Sequence, residues 1–351
     1  LVDGELWAFT VAGAASGNGK TDELPDAGEA PDDAQKKPDQ FNKAVAPEQG
    51  GSLAAAAAVS INAVTDVTQA SIAGAGAVEA GRDLSVSAQS KLAHVAATGG
   101  AAFAKGSGNQ NPSALAGALS FNNLDVTTRA LVVDTRVTAR DLNLDARRTG
   151  NLITISAGAA FNATTNGAAV AGSISFNRLV NHTESFLDGT NINASGAGAF
   201  IALDESSIVA VGGGAAIGGA VGVGFSIGLN EITGSTLASI KGSTLQFGGA
   251  LTMTAVNDNA LRAVGISAGV AQKAGVAFTL GVNLIINTDT VEILDSTLTK
   301  AASIKLLARD DSVLEAIGGA LGFGLESAGA GAALGWNSVT SAVTARVERS
   351  S

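Results

Sequence analysis

The chain contains no cysteine and no tyrosine, and only one methionine, two tryptophans, two histidines and five prolines among its 351 residues. The missing thiols exclude disulfides, thiolate nucleophiles and cysteine-based metal centres together. Aromatic residues make up 4%, so the 46% that is hydrophobic consists mostly of Ala, Val, Ile and Leu, set among 45 glycines. Burial stabilises by about 25 cal/mol per Å² of apolar area, so a core of such small side chains needs close sheet contact and many backbone hydrogen bonds. Basic residues are also few. Lys and Arg number 21 against 31 Asp and Glu, a formal charge of −10 that argues against nucleic acid as a partner, because phosphate binding needs clustered cations. No Met and no basic-then-apolar leader stands at Leu1, so the chain reads as a piece of a longer protein.

What the sequence does have is an internal repeat. An Asn follows a large apolar residue at the end of an Ala/Gly-rich run six times: Ile61-Asn62, Phe121-Asn122, Phe176-Asn177, Leu229-Asn230, Val282-Asn283 and Trp336-Asn337. Successive spacings are 60, 55, 53, 53 and 54 residues. Six residues beyond each Asn comes a Thr-x-Ala-x-Ile type run: Thr68/Ala70/Ile72, Thr128/Ala130/Val132, Thr183/Ser185/Leu187 and Thr236/Ala238/Ile240. The fifth copy reads as slipped by one, to Thr290/Glu292/Leu294, and the sixth as Val343/Ala345/Val347. A further alternating run recurs at Leu84/Val86/Ala88, Leu142/Leu144/Ala146, Leu251/Met253/Ala255 and Ile304/Leu306/Ala308, with Ala199 to Leu203 departing in the third copy. Period-two alternation predicts strands with one buried face, and helix almost nowhere. Each unit is expected to hold four short strands, with a turn of variable length between the first two.

In the first copy that turn swells into an acidic insertion over residues 16–50. It carries Pro25, Pro31, Pro38 and Pro47, while Pro112 sits in the equivalent turn one unit on. Proline thus falls only where no ladder hydrogen bond is needed. Units of this size with small side chains cannot bury enough surface alone, whereas stacked copies bury one another. The expectation is an all-β, right-handed parallel β-solenoid over residues 1–351 as a single elongated repeat domain. Its units run about 1–90, 91–148, 149–207, 208–259, 260–312 and 313–351. The six asparagines are the candidate structural ladder. The alternative is a stack of antiparallel hairpin or sandwich units.

Several features resemble sites and read more simply as structure. The 22 residues Ile208 to Leu229 carry no charge, the length of a transmembrane helix, but eight are Gly and they align with the Ala/Gly strands of other units. No transmembrane segment is expected. His94 and His182 occupy unrelated positions and suggest no dyad. Arg140, Arg147 and Arg148 read as strand-end cations pairing with Asp134, Asp141 or Asp145. Carboxylate pairs such as Asp32-Asp33 and Asp310-Asp311 are the only candidates for Ca²⁺, and the Gly-Gly-x-Gly-x-Asp pattern of calcium β-rolls is missing. No catalytic residue, cofactor or metal is assigned.

The run Ala116-Gly117-Ala118-Leu119-Ser120-Phe121-Asn122 through Thr128-Arg129-Ala130, followed by Asp141-Leu142-Asn143-Leu144, resembles the repeats of very large bacterial surface proteins. These are the filamentous-haemagglutinin-like and leukotoxin-type filamentous adhesins and the autotransporter passenger regions. The resemblance implies a secreted β-helical scaffold outside an outer membrane. Its implied roles are adhesion, aggregation or biofilm formation. Its partners would be flanking repeats of the same chain and a surface receptor or polysaccharide. The pattern departs where Gly228, Gly281 and Gly335 replace the Ser of Ser60 and Ser120. Two other functions compete: a polysaccharide-active β-helix enzyme, which needs clustered Asp, Lys, Arg or Tyr on one face, and a membrane-active toxin segment built on the Gly-rich strands.

Overall fold

The computed structural model describes residues 2–17, 53–74, 76–106 and 111–351. Among them there is no helix and there are nineteen strands. They begin with β1 (Val2–Gly17), β2 (Leu53–Ala73), β3 (Ala77–Glu79) and β4 (Leu84–Lys105). Next come β5 (Ser113–Val133), β6 (Arg136–Ala139), β7 (Leu142–Asn162), β8 (Ala168–Asp188), β9 (Asn191–Ala194) and β10 (Gly198–Gly218). The rest are β11 (Val221–Lys241), β12 (Thr244–Phe247), β13 (Ala250–Asn257), β14 (Ala260–Ala271), β15 (Ala274–Leu294), β16 (Thr297–Lys300), β17 (Ser303–Asp310), β18 (Val313–Gly324) and β19 (Ala328–Glu348).

Every strand pairing among the described residues is parallel, and each joins a strand to its equivalent one repeat away. The protein is therefore a parallel β-solenoid with one coil per repeat, and the antiparallel alternative is overturned. Three sheets result: β1-β4-β7-β10 continuing into β13/β14 and β17/β18 (the outbound sheet), β2-β5-β8-β11-β15-β19 (the return sheet), and the short β3-β6-β9-β12-β16. The expectation of four short strands per unit is corrected. The run ending in Asn and the Thr run form one strand of 21 residues, as in β5 and β8, and the Leu-x-Val-x-Ala run continues unbroken into the next Ala/Gly run, as in β7 and β10. The alternation stays in phase across both junctions, so one buried face continues with no break in register. In the fourth and fifth coils the outbound strand breaks once, between β13 and β14 and between β17 and β18.

The interior is banded. Next to the short sheet lies the largest cluster, including Leu142, Leu144, Phe200, Leu245, Phe247 and Met253. A layer with many polar residues follows, then a Leu/Ile layer with Leu124, Leu152, Leu179, Ile208, Ile232 and Ile285. A second polar layer precedes an alanine-only cluster near the tip, the end where outbound strands turn back. There the two long sheets nearly touch: a Cβ on Gly158 would overlap the backbone of Gly172 on the opposite sheet. The third-copy departure is compensated within this frame. Phe200 takes the register position of Leu144 and Met253, and Gly198 that of Leu142 and Leu251. The missing side chain at Gly198 is replaced by the Phe247 ring, 2.5 Å from where a Cβ would stand.

The fifth copy does not slip. Asp289, Val291 and Ile293 hold the inward positions opposite Thr236, Ala238 and Ile240, and Thr290, Glu292 and Leu294 alternate with them on the other face. Matching Thr to Thr in sequence hid an Asp in the same slot.

Candidate functional site

The six asparagines stand in one register row of the return sheet. Each side-chain Nδ2 donates to the Oδ1 of the next: Asn62 to Asn122 at 2.7 Å, Asn122 to Asn177 at 2.8 Å, Asn177 to Asn230 at 2.7 Å, Asn230 to Asn283 at 2.8 Å and Asn283 to Asn337 at 2.8 Å. Parallel in-register stacking makes this ladder, because identical amides one strand apart match donor to acceptor. In the first two coils Nδ2 also donates to Ser60 and Ser120, each at 3.0 Å. From the fourth coil on the Ser positions are Gly228, Gly281 and Gly335, and Gly212, Gly265 and Gly318 line the same space from the outbound sheet. These small residues leave a cavity of about 140 Å³ along the ladder, also lined by Ser226 and Thr279. The apolar residue before each Asn points away from it, to the outside: Ile61 is 70% and Trp336 66% exposed.

A second polar column lies one layer closer to the short sheet. Ser90, Arg148, Asp204, Asn257 and Asp310 form its outbound row. Arg148 is buried, contrary to its reading as a strand-end cation, whereas Arg140 pairs with Asp83 and Asp141, and Arg147 with Asp145, on the surface. Gly150 creates the space it occupies, since a Cβ there would fall on the guanidinium. Its Nη1 donates to the Thr149 carbonyl, and its Nε has no partner. Burial lowers the affinity of Arg148 for its proton, against the charges of Asp204 and Asp66 on either side. Burial likewise pushes Asp204 above the usual carboxylate range, opposed by Arg148 and by hydrogen bonds from Ser206 (2.5 Å) and Asn181 (2.9 Å).

In the fifth coil the column holds two carboxylates and no cation. Asp289 accepts from Thr236 at 2.5 Å and Asn257 at 2.8 Å on Oδ1, and its Oδ2 is buried without a partner. Burial first, and the nearby charge of Asp310 as well, push its pKa up to about 6. For Asp310 burial acts upward but is outweighed by hydrogen bonds from Ser312, Ser341 and Asn287, which hold it below its ordinary value. Asp311, its neighbour in sequence, faces outward and pairs with Arg309 at 2.8 Å. Alternation thus splits the Asp310-Asp311 pair between two faces, and Asp32-Asp33, with the rest of residues 18–52, lies outside the described residues. Among the described residues no group of three or more His, Asp or Glu side chains converges as metal ligands would.

His94 is buried in the Leu/Ile layer with Nε2 3.4 Å from Asn122 Oδ1. Burial lowers its pKa, the hydrogen bond acting the other way. His182 faces outward on the return sheet, so the two histidines do not meet.

One recurring element escaped the sequence reading. Gly74, Asp134, Gly189, Gly242, Asp295 and Arg349 all have φ between 47° and 62° and follow the return strand in each coil. The NH of each of the first five donates to the coil above, as from Asp134 to Asp188, Gly189 to Lys241 and Gly242 to Leu294. From the second coil on the next residue carries a hydroxyl, and these stack: Thr190 to Ser243 at 3.0 Å, the Ser243 NH to Ser296 at 3.1 Å and the Ser296 NH to Ser350 at 3.1 Å. The signal was present as a Gly/Asp-Thr/Ser pair in the second to fifth copies, at the same spacing as the asparagines. It was masked because Gly and Asp share no chemistry except tolerance of the left-handed region.

Set against protein-family models, curated proteins and solved structures, the chain finds no match. No helix among the described residues is long and apolar enough to cross a membrane.

Proposed function

We propose that the chain is a structural and adhesive segment of a secreted bacterial cell-surface protein, in which the solenoid is the scaffold and the tip displays variable loops. The observation that carries this reading is where length variation is tolerated. From coil to coil the long strands keep their pairing register through interior ladders, while the tip runs from the two residues between β10 and β11 to the 35 between β1 and β2. A scaffold that holds strand and corner constant and lets one edge vary separates support from recognition. The polar columns inside are closed off by both sheets, which favours a load-bearing role for them over a catalytic one.

The test uses beads coated with the 351-residue protein or with a variant in which residues 18–52 are replaced by Gly-Asn-Gly. The expected result is unchanged β-sheet circular dichroism and melting temperature, with adhesion to bacterial and host-cell surfaces lost in the variant only. Intact protein that binds no surface would overturn the adhesive part. A variant that no longer folds would overturn the division into scaffold and display loop. Hydrolysis of acidic polysaccharide, or dye release from liposomes by the intact protein, would favour the enzyme or toxin alternative instead.

A further inference from the structure

The recurring apolar residue before each Asn is left without a role by the scaffold, because it points outward. On the return sheet it forms a continuous row, Ile61, Phe121, Phe176, Leu229, Val282 and Trp336, beside a second outward row, Val59, Leu119, Ile174, Ile227, Leu280 and Leu334. Together they make a bulky, uncharged ridge running the height of the stack. The outbound sheet presents the opposite relief. Gly13, Ala101, Ala159 and Ala215 form the floor of an open groove of about 720 Å³, walled on the tip side by Phe103, Phe161 and Ile217. The Phe103 and Phe161 rings stack with centroids 5.4 Å apart. Gly99, Ala157 and Gly213 widen the floor, and Ile155 and Val211 rise beyond them.

We infer that the ridge of one copy docks in the groove of a second copy, so that solenoids laminate face to back. This rests on the scaffold reading and names its partner. Three features of the structure favour a second copy. The first is relief: the groove walls stand six residues apart, about 20 Å, and the two ridge rows two residues apart, about 7 Å, so ridge side chains fit between the walls. The second is pitch, since ridge and groove both repeat every coil, about 4.8 Å, and match over the coils whose floor is open; Val11, at the register position of Gly99, closes the floor at one end, and Ile266 and Leu321, in the rows of Gly213 and Ala215, close it at the other. The third is area. The open groove spans about 26 Å along the strands and about 14–19 Å along the four coils that line it, roughly 360–490 Å² per partner, the size of a weak, reversible contact and at the upper end of the apolar patch a monomer leaves exposed. Because ridge and groove lie on opposite faces, the contact is heterologous and does not close, so it propagates.

Sedimentation velocity on the 351-residue protein tests this with two variants whose new charges pair across neighbouring strands and spare the fold. One is Ala159→Arg with Ala215→Glu in the groove; the other is Phe176→Lys with Leu229→Glu on the ridge. Expected are concentration-dependent dimers and larger species for the parent chain and monomers for each variant alone. A one-to-one mixture should give dimers and nothing larger, since it restores one intact groove facing one intact ridge. A parent chain that stays monomeric at its highest soluble concentration overturns the inference. So does association unaltered in both variants, which would assign it to the edge strands. Parent chain that floats with phosphatidylcholine vesicles and does not self-associate would make lipid the occupant and overturn it too. A monomeric parent whose coated beads still adhere sinks lamination and leaves the scaffold reading standing.

Discussion

Asn177→Ala removes one rung from the middle of the ladder and leaves unpaired the Oδ1 of Asn230 and one N–H of Asn122, whose Nδ2 keeps its bond to Ser120, both side chains being buried. An unpaired buried polar group costs about 1–3 kcal/mol, so the expected loss is roughly 2–5 kcal/mol in urea unfolding, and Asn62→Ala at the end of the row should cost less. Equal losses at both positions would show that the rungs act independently of depth. The same scale governs the response to pH. Asp289 binds its proton more tightly folded, near pH 6, than an unfolded Asp does near its ordinary value of 3.8. Its contribution is therefore fully present below the unfolded pKa and is lost as pH rises through about 6, a slope set by the protons bound in the two states. Asp289→Asn should remove roughly 2 kcal/mol of that fall between pH 4 and pH 7. Asp204 is also held above its usual range and is present in both proteins, so comparing the two denaturation midpoints across pH isolates Asp289. A parent and variant that track each other over the whole interval would contradict the buried, uncompensated carboxylate.

At the scale of the element, the corners are more demanding than the strands. Gly189 has a φ of 62°, and a Cβ there would stand 2.5 Å from Asp134 Oδ1. Gly189→Ala should cost about 2 kcal/mol from backbone strain and crowding, whereas Asp134→Gly, at the equivalent corner, should be neutral or stabilising; thermal melts of the two single variants decide it. The short sheet offers a paired test. Phe247→Leu alone opens a void where Gly198 supplies no side chain, at a cost of about 1–3 kcal/mol, and Gly198→Leu alone meets the Phe247 ring. The double variant restores the Leu row of neighbouring coils and should recover most of the loss, as a double-mutant cycle would show. These elements also mark how far the sequence was legible. The Asn spacing and period-two alternation carried the strands and their stacking, since both patterns survive in primary order. The corner, the inward Asp289 and the buried Arg148 did not, because each is defined by the slot it fills and not by its residue type. Only register reveals a slot.

For the whole molecule, one coil per repeat sets an unexpected shape. A strand of 21 residues at about 3.3 Å per residue extends nearly 70 Å, while six stacked coils rise only about 24–29 Å. The described residues thus form a slab whose longest axis lies across the stack, and small-angle scattering on the variant with Gly-Asn-Gly in place of residues 18–52 should return a maximum dimension near 70–80 Å, set by strand length. Inserting a second copy of residues 168–273 after residue 273 adds two coils, which lengthens the stack by about 10 Å and should leave the maximum dimension almost unchanged. Growth of the longest dimension in step with the added coils would mean that the strands do not cross the stack. The same geometry governs assembly from the unfolded chain. Ladder partners lie 53 to 60 residues apart in sequence, so no strand finds its partner locally and the cost of closing loops precedes any reward from pairing. Refolding should then be slow and nucleated by the first pair of coils, with later coils adding to a formed edge. The two-coil insertion separates these steps, since it should leave the nucleation rate as it is and prolong only the growth phase.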